Sequence, residues 1–292
     1  MALRATKEHQ KNILKMLNSL SGRYTRYQIW SDFVIWSALS ISNAIDLLNA
    51  PSRREQAKDI EKKYTAAEKE VLAEMLGEVV EAMEVDPEQD FLGELFMMCE
   101  FGNDAGGQFF TPYSVCRAMA AINMSDEIKD QIQERGFVSC NDCACGAGAL
   151  LVAFANECKR REVNYQTSVM FVAQDIDYLA ACMCYLQMSL LGLPGYVYVG
   201  NTLTDPCVSV DGRGLLPIKP QNCFFTPMFF SDVWTWRKLF ARIGIATKGA
   251  IEEIREAAPA MDPVAVGEQF SRGFTRSGAV PDIRHVLLRS DA

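Results

Sequence analysis

The stretch that most constrains how this chain can fold is residues 136–154. A short apolar run, Gly136-Phe137-Val138, leads towards an acid, Asp142. A turn of small residues follows, Ala144-Cys145-Gly146-Ala147-Gly148, and a helix-like segment then opens with Leu150, Leu151, Val152 and Phe154. Strand, glycine turn and helix in this order form one unit of an α/β protein. Gly146 and Gly148 lack a Cβ, so a ligand can come close to the backbone at the turn. Taken alone, a Gly-x-Gly turn is equally a plain tight bend.

The pattern repeats downstream. Ser168–Asp175 reads as a second strand, with Val169, Phe171 and Val172 apolar and an acid, Asp175, at its end. A strongly apolar helix runs from Tyr178 to Leu191 and is closed by Gly192 and Pro194. Tyr196–Gly200 and Asn222–Thr226 read as third and fourth strands. Strands alternating with helices imply parallel pairing with right-handed crossovers. The expected fold is α/β and Rossmann-like, with a mainly parallel sheet. After Phe230 there is almost no strand signal, which leaves that sheet incomplete. Val233–Ile245 reads as an amphipathic helix with Trp234, Leu239 and Phe240 inward. Residues 247–262 read as an exposed helix, and 263–292 as a loosely ordered tail with a short segment at Val286–Leu288.

The first hundred residues carry helical rather than strand patterns. Helices are expected over 7–50, over 53–85 after a break at Pro51, and from Asp90 to Cys99. This gives a helical region 1–101, an α/β domain 102–245 and a tail 246–292. The loop from Gly102 to Gly107 leads into Gln108-Phe109-Phe110-Thr111-Pro112, where Thr111 is the expected N-cap of a helix Tyr113–Ile122 and Pro112 its first residue.

Charge limits the partners. The net charge is −8, so no general basic field is available to hold a polyanion. Arg53 and the other cations of 53–69 read as a solvated helix face. Residues 71–100 contain no Lys or Arg and many acids. They read as a solvated acidic face, or alternatively as a docking surface for a basic partner. The ten cysteines are expected to be reduced and largely buried. Cys140-x-x-Cys143-x-Cys145 lacks nearby histidines to close a zinc site, so no metal is expected. The polar start of the chain and the lack of a long apolar run point to a cytoplasmic protein without a membrane span.

Gly107-Gln-Phe-Phe-Thr-Pro112, Asp142-Cys-Ala-Cys-Gly-Ala-Gly148, Asp175, Leu186-Gln-Met-Ser-Leu-Leu-Gly192 and Gly200-Asn-Thr-Leu203 stand in one order. That order resembles the adenine-N6 DNA methyltransferases, specifically the methylation subunit of type I restriction–modification systems, over roughly residues 30–230. The resemblance implies an S-adenosylmethionine-dependent methyltransferase core acting on double-stranded DNA, with a separate specificity subunit as partner. It assigns Phe110, Thr111 and Pro112 to the methionine end of the cofactor. Asp142, Cys145, Gly146 and Gly148 form the turn beneath it, Asp175 meets the ribose, and Asn201 stands where the family often has Asp. The family's base-binding loop, Asn/Asp/Ser-Pro-Pro-Tyr/Phe after the fourth strand, is here Thr226-Pro227-Met228-Phe229. Thr226, Pro227 and Phe229 are then the candidate catalytic residues of a variant base pocket. The departure from the pattern also admits a non-catalytic relative that binds cofactor, DNA or a partner subunit.

Overall fold

A computed structural model of the chain describes residues 2–104 and 109–257. The expectations for Gly107, Gln108, residues 258–292 and the segment Val286–Leu288 lie outside the described residues. Two units divide the chain, Met1–Arg242 and Ile243–Ala292, and the site described below lies wholly in the first.

The helical part begins with α1 (Ala2–Leu20) and α2 (Arg26–Ile45), followed by α3 (Ala50–Glu61) and α4 (Ala66–Val85). The pattern over 7–50 and 53–85 thus resolves into four helices. Two capping boxes explain the extra breaks. Thr25 accepts from the Gln28 N–H while Gln28 accepts from the Thr25 N–H, and Thr65 pairs with Glu68 in the same way. Each box satisfies backbone amides that a helix start leaves free. Pro51 lies in the first turn of α3, where its missing N–H costs nothing. α5 (Phe91–Met98) is capped by Asp90, whose Oδ1 accepts from the Gly93 N–H at 3.0 Å. α6 (Phe101–Asp104) follows.

Next come α7 (Tyr113–Asn123), α8 (Ile128–Arg135), β1 (Val138–Asp142), α9 (Ala149–Arg160), α10 (Tyr165–Ser168), β2 (Val169–Asp175), α11 (Tyr178–Leu190) and β3 (Gly195–Val199). β4 (Cys223–Phe225) and α12 (Asp232–Ala257) complete the order. The sheet runs β1-β2-β3-β4. β1, β2 and β3 are parallel, with Asp142 opposite Ala173 and Asp175 opposite Val199. Their carboxyl ends therefore share one edge of the sheet.

β4 departs from the parallel expectation. It runs antiparallel to β3, with Tyr198 opposite Cys223 and Tyr196 opposite Phe225. The connection from 200 to 222 supplies no crossover helix of the kind a parallel return normally uses. It returns to the carboxyl edge it left, so β4 can only run back towards the amino edge.

The period-two alternation of the strands separates two packed layers. Val169, Phe171 and Ala173 join the core under α9 and α11, a core continuous with Trp30, Phe33, Phe91 and Phe96 of the helical region. The helices of the first hundred residues and the sheet thus share one core. Met170, Val172, Tyr196 and Tyr198 face the other way, against Leu215 of the 200–222 connection and Trp234 of α12.

Three surface expectations change. Arg53 is buried, not solvated. Its guanidinium pairs with Asp46 at 2.9 Å, donates to the Ser42 Oγ and the Cys223 carbonyl at 2.6 Å each, and lies 4.0 Å over the Phe224 ring. The acidic stretch 71–100 is partly engaged within the chain. Glu78 meets His9 at 2.6 Å and Glu94 accepts from Gln10. Among the described side chains of α12 only Trp234 is buried, while Leu239 and Phe240 are exposed. The inward stripe runs through Trp234, Lys238 and Ala241 at helical spacing, with the Lys238 ammonium 3.7 Å over the Phe229 ring. No helix among the described residues is long and apolar enough to cross a membrane.

Candidate functional site

The glycine turn hangs on the carboxyl edge of the parallel strands. The Cys145 N–H donates to the Gln174 carbonyl of β2 at 3.0 Å, and the Gly148 N–H closes the turn on the Cys145 carbonyl at 2.8 Å. Asp175 at the end of β2 accepts the Gly146 N–H on Oδ2 at 2.8 Å and the Asp177 N–H on Oδ1 at 2.9 Å. The acid and the turn are thus one assembly.

Gly146 and Gly148 both have left-handed φ, +53° and +96°. The neighbours that exclude a side chain are protein atoms. A Cβ on Gly146 would lie 2.9 Å from the Phe110 ring, and one on Gly148 would lie 2.9 Å from the Cys184 Sγ of α11. Gly146 lets Phe110 lie on the turn, while Gly148 lets α9 start close against α11. The sequence reading gave both glycines to ligand approach; Gly146 lines the cavity described next, whereas Gly148 does not and is packed against α11.

A cavity of about 370 Å³ opens above this assembly. Phe109, Phe110 and Thr111 line it on one side, the turn residues Ala144 to Ala147 lie beneath, and Asp90, Asp142 and Asp175 supply its charge. No Lys or Arg lines it among the described residues. Burial pushes the Asp142 carboxyl above its ordinary range, opposed by the Ala144 N–H and reinforced by Asp175. Burial likewise raises Asp90 to about 6, against the stabilising donors Gln187 and Gly93. The Cys145 thiol is held well above its ordinary value by the Cys184 thiol beside it and by burial.

Most of the residues expected at the cofactor meet here. Phe110, Thr111, Asp142, Cys145, Gly146 and Asp175 line the cavity. α7 begins at Tyr113 with Pro112 as its N-cap, so Thr111 does not cap it. The exposed Thr111 side chain is left facing the cavity instead. Pro112 lines an adjoining cavity. Asn201 stands outside the wall and makes a turn, its Oδ1 accepting the Leu203 N–H at 2.9 Å. The neighbouring Thr202 hydroxyl ties that turn to the Cys143 carbonyl.

Thr226, Pro227 and Phe229 are not brought to the cavity. Because β4 is antiparallel, it delivers them to the amino edge of the sheet. The Thr226 Oγ accepts the Gly195 N–H at 3.1 Å and donates to the Leu193 carbonyl at 2.7 Å. At 3.3 Å per residue, that end of β3 lies about 13 Å from the carboxyl edge. Phe229 is buried among Phe225, Phe230 and Tyr196. As placed, Thr226 secures a strand end and Phe229 fills a core. The sequence alone could not show this, since strand direction is a tertiary property.

Sequence reasoning missed three polar residues that organise the site. Gln187 of α11 donates 2.7 Å bonds to the Asp90 Oδ1 and the Ala147 carbonyl, and its Oε1 accepts the Leu92 N–H. Gln174 binds the carbonyls of Gly200 and Asp205 and the Cys207 N–H, holding the 200–222 connection to β2. Asp90 forms one wall. A Gln inside an otherwise apolar helix or strand was the available signal, because a buried amide must find partners.

The family model described as N-6 DNA Methylase matches residues 88–235. The match begins just ahead of Asp90 and takes in the glycine turn, Asp175 and the whole cavity wall. This chain belongs to the N-6 DNA methylase family. A search of curated proteins finds no match.

Proposed function

We propose that this chain binds S-adenosylmethionine in the cavity bounded by Phe110, the 142–148 turn and Asp175, and serves methyl transfer to N6 of adenine in double-stranded DNA. The observation that carries the reading is an acid-lined cavity, free of cations among the described residues, at the carboxyl edge of the parallel strands. Ligands of open α/β sheets bind at that edge, and its volume falls within the roughly 300–1,000 Å³ of small-molecule sites. A donor carrying sulfonium and ammonium charges suits three carboxyl groups.

When bound, S-adenosylmethionine supplies an electrophilic methyl group. Each Asp175 oxygen holds one backbone N–H and keeps a lone pair for a ribose hydroxyl. Phe110 lies against the turn, and Thr111 offers a hydroxyl at the cavity wall. Transfer directly to the amino nitrogen needs no enzyme nucleophile, so the buried Cys145 thiol has no covalent role. The target base must leave the duplex to reach the cavity. With a net charge of −8, sequence reading falls to a partner, and the specificity subunit of a type I restriction–modification system in the cytoplasm suits that division of labour.

A second reading has its own support. Thr226, Pro227 and Phe229 pack at the far edge of the sheet, which favours a chain that binds donor without transferring it. Methyl transfer from labelled donor to unmethylated duplex DNA, with and without a specificity subunit, separates the two. The first reading expects label on adenine N6, reduced in Asp175→Ala together with donor affinity. Donor binding without transfer to any DNA supports the second, and absence of donor binding removes both.

A further inference from the structure

Asp90, Phe110 and Thr111 are common to the cavity described above and to an adjoining one of about 640 Å³. Asp90 is 3% exposed. Both protein donors that reach its carboxylate, the Gln187 Nε2 at 2.7 Å and the Gly93 N–H at 3.0 Å, meet Oδ1. Oδ2 accepts no hydrogen bond from the described residues. The other charged group that bears on Asp90 is Glu94, an acid like itself. Asp142 and Asp175 are the remaining charged residues in the cavity wall. The undescribed residues 105–108 are Ala-Gly-Gly-Gln and carry no charge.

A carboxylate so deeply buried is costly without a cation or a full set of donors. Here the chain supplies donors to one oxygen only, while the other packs over Gly93, where a Cβ would overlap it, in a residue that lines both cavities. The carboxyl group is also held in place. Gln187 bridges it to the Ala147 carbonyl, so α5, α11 and the glycine turn fix it as one unit.

We infer that Asp90 is the counter-charge for the α-ammonium group at the amino-acid end of the methyl donor. The inference rests on the reading of the cavity as an S-adenosylmethionine site and goes beyond it by naming the side chain that meets the donor's ammonium charge. Asp175, at the end of β2, takes the sugar. Asp90, on the wall it shares with Phe110 and Thr111, takes the ammonium through a charge-assisted hydrogen bond.

The test is calorimetric titration of the full chain with three probes: S-adenosylmethionine, S-adenosylhomocysteine, which keeps the amino-acid end but has no sulfonium charge, and 5′-methylthioadenosine, which lacks both. Asp90→Asn keeps the shape and the acceptor for Gly93 and Gln187 but removes the charge. Its expected effect is a loss of about tenfold or more for S-adenosylmethionine and S-adenosylhomocysteine alike, with methylthioadenosine affinity little changed. A loss for S-adenosylmethionine alone, an equal loss for all three probes, or no loss for any overturns the assignment. A second measurement needs no variant. In the wild-type chain, S-adenosylmethionine affinity falls more steeply than methylthioadenosine affinity as the pH drops from 7 to 5. Glu94 on α5, Cys116 on α7, and Asp142 and Asp175 on the sheet are titratable groups around Asp90, together with Lys7, Asp86, Glu88, Tyr113 and Arg117 in the wall of the adjoining cavity, and Asp175 meets the part shared by all the probes. Parallel pH profiles overturn the inference. A wild-type chain that binds none of the probes instead sinks the donor-site reading itself.

Discussion

At the scale of single residues, Gly146 and Gly148 show how a motif can be legible while its cause is not. Their spacing identifies a turn, and both adopt left-handed backbone. What makes glycine obligatory is a Phe110 ring in one case and a Cys184 sulfur in the other, contacts between segments distant in sequence. Gly148→Ala is therefore expected to destabilise the fold by about 1–3 kcal/mol, since it adds left-handed strain to an overlap, and urea denaturation reads that loss. Asp175 was legible as an acid at a strand end. Asp90 was not, because it lies before the first strand and only packing brings it beside the turn.

At the scale of elements, the helical region is fastened to the sheet by one buried cation. Arg53 on α3 closes on Asp46, Ser42 and the Cys223 carbonyl, joining α2, α3 and β4. In sequence it is one of several cations in a charged run, so it reads as solvated. Arg53→Met would leave Asp46 buried without its counter-ion. The expected cost is about 3–5 kcal/mol, measured by thermal or urea unfolding, with donor affinity of the folded chain unchanged. The helix breaks at Thr25 and Thr65 belong to this scale too. Thr25-x-x-Gln28 and Thr65-x-x-Glu68 announce them locally, and the hydrophobic period alone passes over them.

At the scale of the whole molecule, the direction of one three-residue strand decides where a candidate catalytic loop goes. A parallel β4 would have carried Thr226–Phe229 to the carboxyl edge, beside Asp142 and Asp175. The antiparallel β4 carries them to the opposite edge. Phe229→Ala is accordingly expected to act as a core truncation. It should lower stability by about 3–5 kcal/mol and leave S-adenosylmethionine affinity in the folded protein within about twofold, a change under ~0.5 kcal/mol. Calorimetric titration at a temperature below the variant's melting point checks both together. A specific loss of donor affinity would instead put Phe229 at the cavity.

The sequence by itself determined the four strands, the glycine turn and the acid that stands beside it. Period-two apolar runs, a glycine turn and an acid at a strand end are local signals, and each follows from backbone sterics or from burial of one face. Tertiary structure alone decided that Asp90 and Gln187 join the turn, that Arg53 is buried, and that Thr226 and Phe229 lie at the far edge. Those facts depend on strand direction and on contacts across long stretches of chain. A local pattern can mark Gln187 as an amide that must find partners, but it names neither those partners nor the edge to which β4 runs, because both are set by contacts between segments far apart in the chain.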